Sequence, residues 1–207
     1  MNYRGCFVFK LITHILAFNM ETTVQTEIKK RALFLFQAQI DPQSGGIFCD
    51  KLETCVNDGF SELFLLLNSP GGSLRLALGI LNFLELLPIK ITTCNMSSCD
   101  SAAILLFLAG KHRICTPQSR FWIHPVFKES PIVHTEDELQ VELNCLRQDN
   151  QAVVEAIAAR TNQNIPIWST AMLNKTFISA VDAKELGLVH SIGRIVPQSS
   201  DKFYTIC

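Results

Sequence analysis

Leu63-Phe64-Leu65-Leu66-Leu67-Asn68-Ser69-Pro70-Gly71-Gly72-Ser73-Leu74 is the stretch that decides the fold. Its apolar run, Leu63 to Leu67, reads as a strand covered on both faces. Asn-Ser-Pro-Gly-Gly then breaks the chain, because proline fixes φ and tandem glycines admit angles closed to other residues. Beyond the break Leu74, Ala77, Leu78, Leu81 and Leu84 recur at helical spacing, and Pro88 follows the end. A buried strand turning sharply into an amphipathic helix is the repeating unit of an α/β protein.

The same unit recurs outward. Upstream, Arg31 to Ile40 reads as a strand, Pro42 to Gly46 as a turn and Ile47 to Asn57 as a short helix. Downstream come a strand over Ile89 to Met96 and an apolar helix over Ala102 to Ala109, with Gly110 as its C-cap. A strand over Ser119 to His124 follows. Thr135-Glu136-Asp137-Glu138 is a capping box opening a helix that runs to about Arg160. Ser179 caps a short helix through Glu185, Gly187 ends it, and Leu188 to Ile192 returns as a strand. Successive β-α-β units predict an α/β fold with mostly parallel strands. In the long helix Leu139, Leu143, Leu146, Asn150, Val153 and Ile157 form a seam with one polar interruption. Such a seam packs on its own domain or docks another helix.

The chain has 207 residues, 48% hydrophobic and 18% charged, enough for one domain with a real core. Eighteen basic against nineteen acidic residues leave a net charge of -1, which argues against a nucleic-acid binder. So apolar a chain is not disordered, and a mean hydropathy of +0.22 hints at oligomer interfaces. Eight cysteines include no C-x-x-C and no cluster with histidines, so they read as thiols in a reducing cytoplasm rather than disulfides or a zinc site. Cys6 to Phe18 is interrupted by Lys10 and His14 and is too short and polar to span a bilayer. Residues 1–30 are therefore set apart as an N-terminal extension: a flexible arm, a docking element or a mis-assigned start before Met20. Residues 31–195 form the domain and 196–207 a C-terminal tail.

Two places could carry chemistry. The amides of the Ser69-Pro70-Gly71-Gly72 turn can point at an anion, either a phosphate or the oxyanion of acyl transfer. The Gly-Lys-Ser/Thr of a P-loop is missing, which disfavours nucleotide. The second place is Met96-Ser97-Ser98-Cys99-Asp100-Ser101-Ala102-Ala103, where a hydroxyl is either an N-cap or a nucleophile. Ser97, Ser98 and Cys99 compete for that role on chemistry alone. As a base, His124 ends the apolar Phe121-Trp122-Ile123 and can project into a cleft, whereas His112 sits in the polar turn Lys111-His112-Arg113.

These motifs, with Ser101-Ala102-Ala103 before Leu108-Ala109-Gly110, Pro117-Gln118-Ser119-Arg120, Ile123-His124-Pro125, Phe177-Ile178-Ser179-Ala180 and Glu185-Leu186-Gly187-Leu188-Val189, resemble the Clp protease proteolytic subunit family. The similarity runs from about Arg31 to Ile195. It implies the ClpP/crotonase-like fold with a protruding handle helix, here the helix from Thr135. It implies a serine endopeptidase with Ser101 as nucleophile, His124 as base, and the Gly71-Gly72 turn with Ala102 as oxyanion and substrate-binding amides, Gly72 and Ala102 donating to the oxyanion. It also implies a homo-oligomer of two stacked rings, usually heptameric, that encloses unfolded protein or peptide substrates fed by an AAA+ unfoldase. The expected location is cytoplasmic, with no membrane or nucleic-acid partner. Nothing calls for a metal or an organic cofactor, and any ATP requirement belongs to the unfoldase. One departure stands out. The family's triad aspartate lies six residues before the Phe-x-Ser phenylalanine, and that position is Ala171. Asp182, near in sequence, reads as a helix cap, and Asp100, next to the nucleophile, could orient a base only with different geometry. A catalytically weak or inactive ring subunit is therefore the alternative reading. Acyl-CoA chemistry on the related crotonase fold is a third, and no paired glutamates support it.

Overall fold

The computed structural model describes residues 30–128 and 135–207. Residues 1–29 of the expected N-terminal extension lie outside the described residues. The elements in chain order are β1 (Arg31–Phe36), α1 (Pro42–Asn57), β2 (Glu62–Ser69), α2 (Leu74–Leu86), β3 (Lys90–Asp100), α3 (Ala103–Leu108), β4 (His112–Cys115), β5 (Arg120–Trp122), α4 (Glu136–Ala158), α5 (Ile165–Leu173), β6 (Phe177–Ser179), α6 (Ala180–Glu185), β7 (Ser191–Ile192) and β8 (Lys202–Ile206).

The sheet runs β6-β5-β3-β2-β1-β8, with β4 and β7 branching from β3. All pairings are parallel except β5 with β6. The branch arises within β3, whose first part (Thr92–Asn95) pairs with β4 and whose last part (Ser98–Asp100) pairs with β5. Between these parts the register with β2 slips, Leu67 facing Asn95 but Ser69 facing Cys99. The irregularity lets one strand serve two neighbours and carries its end to the site.

Leu63, Leu65 and Leu67 are fully buried, but Phe64 and Leu66 are only half-buried. The expectation of a strand covered on both faces is thus corrected: β2 alternates, and one face of the sheet is only partly sealed in the single chain. The sealed face packs Phe34 and Phe36 of β1 edge-on against Phe48 of α1. Each such ring contributes about 1.5–3 kcal/mol by leaving water.

Residues 42–46 are not a free turn. Asp41 Oδ1 accepts the Ser44 N–H at 2.8 Å and Ser44 Oγ accepts the Asp41 N–H at 3.1 Å, so a capping box starts α1 at Pro42. Gly45 belongs to the packing, since a Cβ there would sit 2.8 Å from Leu76 Cδ2 of α2. Gly110 does not end α3 with a left-handed turn; Ala109 caps it in right-handed helical conformation. A Cβ on Gly110 would meet Thr93 Oγ1 at 2.3 Å. The polar turn expected at 111–113 is strand β4. His112 stays exposed, but Arg113 is buried and donates to the carbonyls of Leu188, Gly110, Arg160 and Gly187.

The capping box at Thr135 and Glu138 opens α4 as its sequence demands. Ile157 of the seam is buried in the domain, beside Val154, and Val153 is half-buried, whereas Leu139 and Leu143 are 54% and 42% exposed. The seam thus splits, its C-terminal end packing on its own chain and its N-terminal end open. Lys202–Ile206, within the expected tail, adds β8 in parallel to β1.

Candidate active site

The Ser69–Gly72 turn is tied at several points. Ser69 Oγ donates to the Ala38 carbonyl at 2.7 Å and accepts the Gly71 N–H at 3.2 Å. Ile40 brackets the glycines, its N–H donating to the Gly71 carbonyl (2.7 Å) and its carbonyl accepting the Ser73 N–H (2.8 Å). Gly71 has φ +91°, and a Cβ on it would lie 2.5 Å from the Asp100 carbonyl oxygen and 2.8 Å from Ser101 Cβ. Only glycine lets this turn press against the end of β3. The Gly71 amide is committed to Ser69, whereas the Gly72 amide has no hydrogen-bond partner among the described residues.

Ser101 joins β3 to α3 with φ +57°, a left-handed conformation that a serine adopts at a cost of about 1–3 kcal/mol. Its N–H donates to the Trp122 carbonyl at 2.8 Å, which fastens it to β5. The helix N-cap is Ala102, without a side-chain cap bond, so the cap reading of Ser101 gives way to a half-buried serine on a strained elbow. The competitors lie elsewhere. Cys99 is fully buried, and that burial, reinforced by the Asp100 charge, pushes its thiol well above the ordinary range. Ser97 and Ser98 do not reach the cavity.

That cavity, of about 450 Å³, is lined by Gly71, Gly72, Ser101, Ala102 and His124 together, with Leu74, Ile104, Val126 and Phe127 as apolar wall. All five residues expected to form the site therefore converge on one concave surface. Gln39, which sequence reasoning passed over, lines it too. His124 lies two residues beyond β5, half-buried, its ring against Trp122 (centroids 4.3 Å apart) and Phe127 (5.8 Å). Its Nδ1 is 2.8 Å from the Pro125 carbonyl oxygen. No hydrogen bond joins His124 to Ser101 Oγ among the described residues. Asn150, the polar break in the α4 seam, accepts the Val126 N–H at 2.7 Å.

No carboxylate supports the imidazole among the described residues. Asp182 completes a capping box with Ser179, its Oδ2 accepting the Ser179 hydroxyl at 2.7 Å. Asp100 lies 3.9 Å from Arg120, and its Oδ1 is buried without a hydrogen-bond partner among the described residues. Ala171 is linked to the histidine's strand by backbone alone: its carbonyl accepts the Thr176 N–H, and the Thr176 carbonyl accepts the Ile123 N–H. Position 171 is therefore tied through the backbone to the segment that carries the base, and alanine there offers no side-chain acceptor.

The sequence model of the Clp protease family matches residues 19–195. Curated relatives are ATP-dependent Clp protease proteolytic subunits. The rice (Oryza sativa subsp. indica) protein is 28% identical over 167 residues, 80% of this chain and 77% of that one. The wheat (Triticum aestivum) protein is 29% identical over 140 residues, 67% of this chain and 64% of that one. A solved structure, that of a ClpP1 point mutant from Listeria monocytogenes, superposes with a TM-score of 0.71 at 19% identity, covering 81% of this chain and 93% of that chain. The chain belongs to the Clp protease family and is a ClpP-type subunit with the ClpP fold. Among the described residues no helix is long and apolar enough to cross a membrane.

Proposed function

We propose that this chain is a cytoplasmic serine endopeptidase subunit that hydrolyses unfolded polypeptides within a chamber of stacked rings, supplied by an AAA+ unfoldase. Ser101 Oγ attacks the scissile carbonyl and its proton passes to His124 Nε2. The oxyanion accepts the Gly72 and Ala102 N–H groups. His124 then gives the proton to the leaving amine, and water, deprotonated by the same ring, hydrolyses the ester. The observation that carries this reading is the strained Ser101 elbow sharing one cavity with His124 and with the Gly72 amide, which has no partner among the described residues. The open N-terminal half of α4 supports assembly, because Leu139 and Leu143 of the seam, with Val141 beside them, lack cover in a single chain.

The second reading, an inactive ring subunit, is favoured by Ala171. A fluorophosphonate probe separates them. The peptidase reading expects labelling of Ser101 that disappears in Ser101→Ala and falls in His124→Ala. A folded, assembled protein that takes no label is the inactive subunit. Assembly is read by sedimentation, where a monomer at micromolar concentration would contradict the role given to α4.

A further inference from the structure

A carbonyl oxygen can only accept a hydrogen bond, so the 2.8 Å approach of His124 Nδ1 to the Pro125 carbonyl requires the proton on Nδ1. The lone pair then resides on Nε2, the tautomer a carboxylate partner would enforce. A carbonyl in the adjacent residue is a weak guide unless its peptide plane is held. Here the next amide of the segment, Val126 N–H, is held at 2.7 Å by Asn150 Oδ1. Asn150 stands on α4, whose Val154 and Ile157, one turn and two turns further on, are buried in the domain. The side chain is thus mounted on a rigid element, and Pro125 fixes its own φ just ahead of the anchored Val126 amide. This explains why a polar residue interrupts an otherwise apolar seam.

We propose that Asn150 is a positioning residue that, through Val126, sets the Pro125 carbonyl as the orienting acceptor for His124 in place of the carboxylate missing at Ala171. The role in turnover rests on the peptidase reading; the tautomer does not. Neutral histidine free in water favours the proton on Nε2, so loss of the anchor should release His124 toward that form.

The test uses the full-length protein labelled with 15N-histidine, as wild type, Asn150→Leu and Asn150→Asp, with His124→Gln to identify the resonance. Circular dichroism and sedimentation establish that each variant folds and assembles alike. Solid-state 15N spectra at neutral pH should show His124 protonated at Nδ1 in wild type and Asn150→Asp, and shifted toward Nε2–H in Asn150→Leu. Peptide hydrolysis should lose about five- to tenfold in kcat in Asn150→Leu with KM unchanged, the effect of one hydrogen bond, and recover in Asn150→Asp. A wild-type Nε2–H tautomer, or an unchanged tautomer in folded Asn150→Leu, overturns the proposal. If the tautomer shifts as expected but no variant hydrolyses peptide, the orienting contact stands and the peptidase reading falls.

Discussion

Replacing Gly71 by alanine tests the geometry of the site through a single methyl group. The new Cβ would lie 2.5 Å from the Asp100 carbonyl oxygen, 2.8 Å from Ser101 Cβ and 2.9 Å from Ala102 N. These atoms belong to the backbone and Cβ of the elbow, not to the free end of a long side chain, so relief requires β3 and α3 to part from the glycine turn. Overpacking of this kind costs about 1–3 kcal/mol. A non-glycine residue in left-handed geometry at φ +91° adds about 1–2 kcal/mol. The total, ~2–5 kcal/mol, lowers the melting midpoint of a chain this long by about 5–15 °C. Gly79→Ala supplies the opposite sign. Gly79 is exposed within α2 and a Cβ there meets nothing within 4 Å, so helix propensity alone predicts stabilisation of about 1 kcal/mol. Thermal and urea unfolding of both variants read these effects. Wild-type stability in Gly71→Ala, or a loss in Gly79→Ala, would refute the packing argument.

Ser101→Gly should unfold at higher urea than Ser101→Ala, by about 0.5–1 kcal/mol, because glycine relieves the φ of +57° that alanine retains; equal midpoints would mean that the elbow is unstrained. Both variants should lose probe labelling. Ala171→Asp should raise the rate of acylation of Ser101 by about tenfold or more, since a carboxylate beside the base stabilises imidazolium better than a carbonyl does. A folded variant with an unchanged rate would show that position 171 does not reach the ring. His190 has its pKa lowered by burial and by the charges of Arg113 and His112, and its Nδ1 accepts the Arg113 N–H at 2.9 Å. Below its ordinary value near 6.5 the unfolded chain binds the proton first, so stability falls on acidification through that pH and is regained above it. In His190→Gln the decline between about pH 7 and 5 should be shallower in urea titrations.

The units that repeat strongly were readable. β2, α2, the box at Thr135 and the short helix after Ser179 follow from apolar spacing and capping residues that act locally. The start of α1 was not, because Pro42 to Gly46 carries turn residues and its helical state depends on Asp41 and Ser44 closing on each other and on Leu76 lying over Gly45. β4 has four residues, too few for a period, and its buried Arg113 is explained only by four carbonyls contributed from distant segments. α5, Ile165 to Leu173, is apolar on most sides and shows little contrast between faces, although Asn164 caps it. In the site, the serine, histidine and glycines could be named from motif order. Asn150 and the Pro125 carbonyl could not, since one acts across a fold contact and the other is backbone; the polar break in the seam was the only sign.

β8 gives the last residues of the chain a duty of their own. Ile206 is fully buried, its carbonyl accepts the Gln37 N–H at 2.8 Å, and Tyr204 packs on Phe34 with ring centroids 4.6 Å apart. Without Lys202–Ile206, β1 would become the rim of the sheet, offering unmatched amides beside Leu33, Phe34 and Phe36. Such a rim is a template for adhesion between molecules. Clipping the chain after Ser200 should turn a well-behaved preparation into one that clouds on gentle warming, so purification tags belong where they leave this guard strand in place.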